Sequence, residues 1–471
     1  MDFALGEWNA FYWLQLVEHE LLIFALFWFI LGMIDEMAID IAWLWLRLGG
    51  RGGARAAPDN PQQTPLAGMI AIFIPAWQEA GVIGATVAHM LSAWPQRQVR
   101  IYVGCYANDA QTITAAMTGT GSDPRVRLVI HDRAGPTTKA DCLNRLYHAL
   151  QTDEARLGHG FRAVVLHDAE DMVHPAALVA IDRAMDRHSF VQLPVRPEPQ
   201  PGSRWIAGHY ADEFTEAHAK TMVVRGAMGA AIPAAGVGCG FARDMLANLA
   251  RLRVAEGEAG PFAAECLTED YELGLLVTRH GGQGRFLRLR DAQGALVATR
   301  SYFPGRLTDA VRQKTRWVHG IAFQEWERLG WSGRWVDLWI ALRDRRGPLT
   351  ALVLAAAYAL VLVEGVLALA QWAGWFVPLP VTPLFHVALA VSFAGLLWRA
   401  AWRFAFTTRE YGVIDGLRAV LRIPIGNIVA IMAGRRAFLA YFRSLRGEAI
   451  IWDKTMHDLH PAQLAMARSA R

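Results

Sequence analysis

Long apolar runs and short alternating segments divide this chain into two kinds of territory. Leu21 to Leu46 is apolar except for Asp35, Glu36 and Asp40. Leu349 to Trp372 carries one charge, Glu364, and Leu384 to Phe406 carries Arg399 and Arg403 near its end. Each run exceeds or approaches the ~20 residues that cross a hydrocarbon layer. The three acids of the first run would be costly against lipid, so they are expected to face protein or the cytosolic interface. Acidic residues precede that run and no small-residue cleavage site follows, which excludes a cleavable signal peptide. Val413 to Met432 is also apolar but holds Arg418, Arg422 and Pro424. It is expected to lie on a leaflet as an interfacial helix, with a fourth span as the alternative.

Between the first and second runs the pattern changes. Met69–Ile74, Val99–Gly104, Val126–His131 and Ala163–Leu166 read as short buried strands. Helical patterns fall between them over Gly81–Trp94, Asp109–Met117 and Lys139–Leu150. Strands alternating with helices predict a mostly parallel sheet that binds ligands at the carboxyl ends of its strands. The expected division is 1–50 as a transmembrane helix, 51–67 as a linker, and 68–335 as an α/β domain. Two further transmembrane helices follow over 336–410, then an interfacial helix and tail over 411–471.

Composition sharpens this picture. Hydrophobic residues make up 53% of 471 and charged residues 19%, which suits a soluble domain joined to a few membrane helices. The net charge of +4 is mild. The positive charge is nearly all arginine and clusters beside the apolar runs, so it reads as membrane anchoring and not as a nucleic-acid footprint. Arg47, Arg51, Arg55, Arg343, Arg345 and Arg346 flank 50–345, while residues 1–20 contain no Lys or Arg. The positive-inside rule therefore puts the N-terminus outside and the α/β domain in the cytosol. Four cysteines without C-x-x-C spacing indicate neither a zinc site nor a disulfide framework.

Candidate chemistry gathers at the expected strand ends. Pro75-Ala76-Trp77-Gln78-Glu79 follows the first strand. Glu79 could accept hydrogen bonds from a ribose or base, or simply complement a helix dipole. Asp168-Ala169-Glu170-Asp171 follows the fourth strand. Carboxylates there can hold Mg²⁺ or Mn²⁺ on a diphosphate, the alternative being a polar turn. Thr268-Glu269-Asp270 opens a helix, where Thr268 could be the N-cap and the acids dipole partners. In the functional reading Asp270, kept ionised by that helix start, is a general base, with Glu269 the next candidate. Lys139 begins a helix and can contact phosphate. Gln313, Arg316 and Trp317 share one helical turn. Arg316 could reach a diphosphate, and Trp317 could offer a platform to a sugar ring or be an interfacial aromatic.

Taken in order, Pro75–Glu79, Lys139–Asn144, Asp168–Asp171, Gly236-Val237-Gly238 with Arg243, Thr268–Asp270 and Gln313–Trp317 resemble the motifs of processive family 2 glycosyltransferases. The wording of Phe73–Glu79, Asn108-Asp109 and Trp452-Asp453-Lys454-Thr455 is most similar to the bacterial inner-membrane type known as phage adsorption protein B. The resemblance covers about residues 68–330. It implies a GT-A glycosyltransferase domain inserted between transmembrane helices, inversion at the anomeric carbon, a UDP-sugar donor (HexNAc by the same resemblance) and Mg²⁺ or Mn²⁺. It assigns UDP to Pro75, Glu79, Asp109, Lys139, Asp168, Gln313, Arg316 and Trp317. Metal goes to Asp168, Glu170 and Asp171, catalysis to Asp270 and Glu269, and the acceptor to Gly238 and Trp317. The partners implied are a polysaccharide acceptor, the lipid bilayer, an outer-membrane export protein, and a cyclic-dinucleotide regulatory domain on another chain.

The chain departs from the pattern in places. Where a carboxylate usually ends the second strand to contact uracil, this chain has Gly104-Cys105-Tyr106, with Asp109 further on. The metal motif reads Asp168-x-Glu170. Three spans are few for a polymer channel. The alternatives left open are transfer of one sugar to a polyprenyl phosphate, and a catalytically silent scaffold or phage receptor of an envelope export complex.

Overall fold

The computed structural model describes residues 10–331, 333–375, 377–380, 382–447 and 460–461. Its centre is a seven-stranded sheet: β1 (Ile70–Pro75), β2 (Val99–Tyr106), β3 (Val126–His131), β4 (Ala163–Leu166), β5 (Phe190–Gln192), β6 (Cys239–Ala242) and β7 (Gly284–Phe286). The order is β3-β2-β1-β4-β6-β5-β7, and only β6 runs antiparallel to its neighbours. β1 explains the unbroken apolar run. Ile70, Ile72 and Ile74 enter one apolar cluster while Ala71 and Phe73 enter the cluster on the opposite face, so both faces are covered. The chain moves outward from β1 to β3 and then returns to place β4 on the other side of β1. That reversal opens a crevice beyond the ends of β1 and β4, where Pro75 and Asp168 lie.

The expected strands and helices recur with small shifts of boundary. The Lys139–Leu157 helix runs seven residues past the apolar pattern, to a left-handed Gly158 cap. The chain between 175 and 267, which carries little periodic signal, supplies β5, β6 and a helical arm. The arm is Ile206–Glu216, a π-helical turn Ala217–Thr221, and Met222–Ala227.

Among the described residues four helices, not three, are long and apolar enough to cross a membrane: Ala10–Leu48, Gly347–Trp372, Pro383–Tyr411 and Ile423–Ser444. The acids of the first helix face protein, as expected. Asp35 meets Arg343, Arg346 (2.6 Å) and the Trp339 indole (2.7 Å). Glu36 meets Arg343 (2.8 Å) and Arg346. Asp40 is buried against Lys220, which also holds Glu216 at 2.8 Å.

Two expected boundaries change. Residues 51–67 are no free linker, because Arg55–Ala56 pairs in parallel with Leu289–Arg290. At the other end the α/β unit continues to Arg345, because Asp344 binds Arg225 (2.8 Å) and Tyr271 while Arg345 binds Glu325 (2.8 Å). The single interfacial helix expected over Val413–Met432 is two helices, Val413–Leu421 and Ile423–Ser444. Arg422 breaks them by turning inward onto Asp212 at 2.6 and 2.7 Å, and Pro424 starts the second helix where its missing N–H costs nothing. Both ends of that second helix are fastened to the α/β unit: Arg422 to Asp212, and Tyr441 to Glu327 at 2.6 Å.

Candidate active site

A cavity of about 970 Å³ opens at the crevice between β1 and β4. Pro75, Glu79, Lys139, Asp168, Glu170, Asp171, Glu269, Asp270, Gln313, Arg316 and Trp317 all line it. They come from five separate stretches of chain, so only the fold brings them together.

Lys139 is the electrostatic centre. Thr138 caps its helix by accepting the Asp141 N–H at 3.2 Å, which sets Lys139 on the first turn. Its ammonium pairs with Asp168 at 2.6 Å. Asp168, Glu269 and Asp270 together raise its pKa against the opposing effect of burial. Gly236, at φ 73°, brings bare backbone against the same spot. A Cβ there would overlap the Asp270 carboxylate and come within 3.2 Å of the Lys139 Nζ.

The helix Glu269–Arg279 starts with the two candidate bases. The Thr268 side chain makes no capping hydrogen bond. It packs against Gly320, where a Cβ would collide with it, and so joins this motif to the end of the Leu307–His319 helix. Burial raises the Asp270 pKa, opposed by the Lys139 charge and by the Tyr271 N–H at 2.8 Å. The helix start is therefore not what governs this carboxyl, contrary to expectation. Glu269 is pushed up to about 8, first by burial and then by the neighbouring Asp270, with Lys139 opposing.

Gln313, Arg316 and Trp317 present one face of the Leu307–His319 helix to the cavity. Lys314 points away and ties the helix to Glu213 at 2.6 Å. Trp317 packs near Tyr210 and Phe214, at centroid distances of 6.0 and 6.1 Å. A π-helical turn, Gly320–Gln324, follows. Gln324 accepts the Leu267 N–H at 3.0 Å and donates to the Glu265 carbonyl at 3.2 Å. π-Helical turns often mark functional sites, and this one clamps the chain just before Glu269 and Asp270.

Several assignments move. Asp109 is not on the cavity wall. It caps the Ala110–Thr120 helix and accepts the Gln78 N–H at 2.6 Å, so it shapes the loop that carries Glu79. Cys105 is buried within the apolar cluster. Asp171, expected as a metal ligand, is fully buried, with Oδ2 bonded to His167 Nδ1 (2.8 Å) and the Asp168 N–H (3.0 Å). Through these bonds it braces the loop. Gly238, expected at the acceptor, contributes backbone inside the sheet, where a Cβ would strike Thr299. Arg243 pairs with Glu154 at 2.6 Å, far from this chemistry. Wall residues that motif reading missed include His319, Gln324, Glu327, Arg328 and Tyr441. His319 lies one turn beyond Arg316, so helical spacing was the available signal for it. Tyr441 arrives from a distant helix and left none.

Among the described residues no three histidine, cysteine or carboxylate side chains gather as a metal cage. The cavity offers Asp168 and Glu170 instead. One or two hard oxygen ligands suit Mg²⁺ or Mn²⁺, whose remaining positions go to phosphate oxygens and water, so the donor set fits such an ion.

The family model described as glycosyltransferase like family 2 matches residues 67–320, a stretch that contains every wall motif from Pro75 to Trp317. The chain belongs to glycosyltransferase family 2. The sheet with its flanking helices is the GT-A arrangement expected for it, with apolar helices at both ends. The chain is 31% identical over 502 aligned positions to bacteriophage adsorption protein B and to bacteriophage N4 adsorption protein B, from two strains of Escherichia coli. These alignments take in 100% of this chain and 66% of each relative, so the chain spans just under two thirds of their length. Among solved structures it resembles a mannosyltransferase from Pyrobaculum calidifontis in complex with GDP-Man and Mn²⁺, at 18% identity and TM-score 0.49, covering 85% of this chain and 99% of that one. It also resembles glucosyl-3-phosphoglycerate synthase from Mycobacterium tuberculosis, at 15% identity and TM-score 0.33, covering 50% and 72%. Likeness at that level says nothing of substrate.

Proposed function

We propose that this glycosyltransferase sits in the bacterial inner membrane, with its α/β unit in the cytosol, and transfers a sugar from a UDP-sugar to a growing surface polysaccharide with inversion. The observation that carries the reading is the convergence of Lys139, Asp168, Glu269, Asp270, Gln313, Arg316 and Trp317 on one cavity. Lys139 and Arg316 bring positive charge to a diphosphate, and the loop after β1 offers Glu79 to the nucleoside. Asp168 and Glu170 would hold Mg²⁺ or Mn²⁺, and that ion, when bound, neutralises charge on the departing nucleoside diphosphate. Trp317 gives the acceptor sugar an apolar face. Asp270 takes the proton from the attacking hydroxyl, and the Lys139 charge opposes the burial that raises this carboxyl's pKa. Gly236 keeps the approach to that carboxyl clear. A HexNAc donor follows from family resemblance.

The reading is tested by incubating the purified chain with a panel of UDP-sugars and measuring UDP release with and without acceptor oligosaccharide. Release stimulated by both one donor and an acceptor supports it. No release from any donor would favour the silent scaffold, against which stand the buried acids and the Lys139 pairing that a scaffold has no use for.

A further inference from the structure

A second cavity, of about 710 Å³, shares Tyr302 with the first. The segment 198–204, the strand Thr299–Ser301 and the turn from Tyr411 into the Val413–Leu421 helix enclose it. Arg204, Arg300, Arg418 and Arg422 line it against Glu198 and Asp415. Two of the four cations are occupied. Arg422 is held by Asp212, and Arg418 pairs with Asp415 at 3.1 Å. The other two have capacity left. Glu198 is already bound by Arg196 at 2.6 Å and lies 3.5 Å from Arg300, whose Nη2 donates to a weak acceptor, the Met172 sulfur, at 3.3 Å. Arg204 is exposed, and its side chain forms no ion pair among the described residues. Two guanidinium groups with spare donors suit a phosphate.

The surroundings point to where that phosphate comes from. Val413 and Ile414 line the cavity. With Leu417 and Leu421 they leave a strip of the short helix 57–66% exposed. Such a helix, beside the membrane-length Pro383–Tyr411 helix, belongs at the headgroup level of a bilayer. The opposite wall leads to the active site. Arg300 and Met172 exchange both backbone hydrogen bonds, at 2.7 and 2.9 Å. Met172 directly follows Asp171, and Tyr302 lines both cavities.

We propose that the second cavity binds the phosphate of an anionic membrane lipid, and that this lipid steadies the Asp168–Asp171 loop through Arg300. The site rests on the membrane reading above, and its effect on the loop rests also on the sugar-transfer reading. Binding is therefore measured apart from activity, on the full chain carrying Asp270→Asn in detergent. A photoreactive phosphatidylglycerol analogue should crosslink to peptides covering 198–204 and 411–418, and unlabelled phosphatidylglycerol should compete about tenfold better than phosphatidylcholine. Arg204→Gln with Arg300→Gln should weaken capture by about tenfold or more. Soluble glycerol 3-phosphate should not compete, and if it does, the lipid source is overturned in favour of a soluble phosphate ligand. Equal competition by the two lipids, or crosslinks elsewhere, overturns the site. If the double variant does not fold, crosslink position and lipid competition on the unmodified cavity still decide. In the active chain, nanodiscs with phosphatidylglycerol should lower the donor KM relative to phosphatidylcholine alone. Unchanged KM with intact binding removes the effect on the loop.

Discussion

Replacing Gly236 by alanine tests the active-site geometry through a single methyl group. The backbone there has φ 73°, which costs an L-residue about 1–2 kcal/mol. The new Cβ would also overlap the Asp270 carboxylate and press on the Lys139 Nζ. Asp270 has one way to yield, which is to move, and a displacement near 1 Å in a reacting group costs roughly 10²-fold in rate. Gly294 separates strain from collision. It has φ 80° with nothing within 4 Å of an added Cβ, so Gly294→Ala carries the strain alone. Gly294→Ala should lose only the thermal stability that strain costs and Gly236→Ala at least as much, while only Gly236→Ala should lose about 10²-fold in kcat by UDP release. If Gly236→Ala stays within about threefold of the parent rate, Asp270 is not the reacting carboxylate.

Asp270→Asn keeps the shape but removes the proton acceptor, so transfer should fall ~10²–10⁴-fold while UDP binding by calorimetry changes little. If more than roughly a tenth of the rate survives, the base is another group, Glu269 first. Chelation by EDTA should abolish transfer and Mg²⁺ or Mn²⁺ should restore it; full turnover in EDTA would remove Asp168 and Glu170 from a metal role. Glu269 has its pKa raised to about 8 in the folded chain. Its protonated form is therefore favoured by folding, and that stabilisation is lost as pH rises through about 8. Glu269→Gln, a mimic of the protonated acid, should gain in melting temperature relative to the parent as pH rises from about 5 to about 8, and a difference that stays flat would refute the shift. For topology, all four native cysteines are buried, so introduced ones report cleanly. A periplasmic thiol reagent should label Pro378→Cys but neither Gly160→Cys nor Arg446→Cys; labelling at position 446 would mean that Ile423–Ser444 spans.

The parts of this molecule visible in the sequence are those with a local cause. β1 and β4 are short apolar runs that stop at Pro75 and Asp168, and chemistry at strand ends follows from parallel topology. Gln313, Arg316 and Trp317 share a face because of helical spacing alone. What stayed hidden depends on distant partners. Nothing near Asp109 says that it will cap a helix and hold Gln78 instead of meeting a ligand. Asp171 looks like a third ligand until His167 and a backbone N–H are found on it. Helix position, a local feature, predicts an ionised Asp270, whereas the burial that raises its pKa and the Lys139 charge that opposes it come from the assembled fold. The break at Arg422 required Asp212, which lies 210 residues earlier. The Gly320–Gln324 π-turn left no periodic trace.

The ion pairs beneath the α/β unit bear on how this enzyme can be handled. Lys220 and Glu216 belong to the catalytic unit, yet their partners Asp40 and Arg399 belong to the first and third apolar helices. Arg343 and Arg346 likewise find Asp35 and Glu36 on the first helix. Excising 68–335 for crystallisation would take Asp40 and Arg399 away from the Lys220–Glu216 pair and open the surface beneath them to water. The cut would also strip the strand Arg55–Ala56 from Leu289–Arg290. Anchor and catalyst are thus a single folding unit. A soluble fragment is expected to aggregate, and biochemistry on this enzyme begins with the whole chain in a detergent or lipid particle.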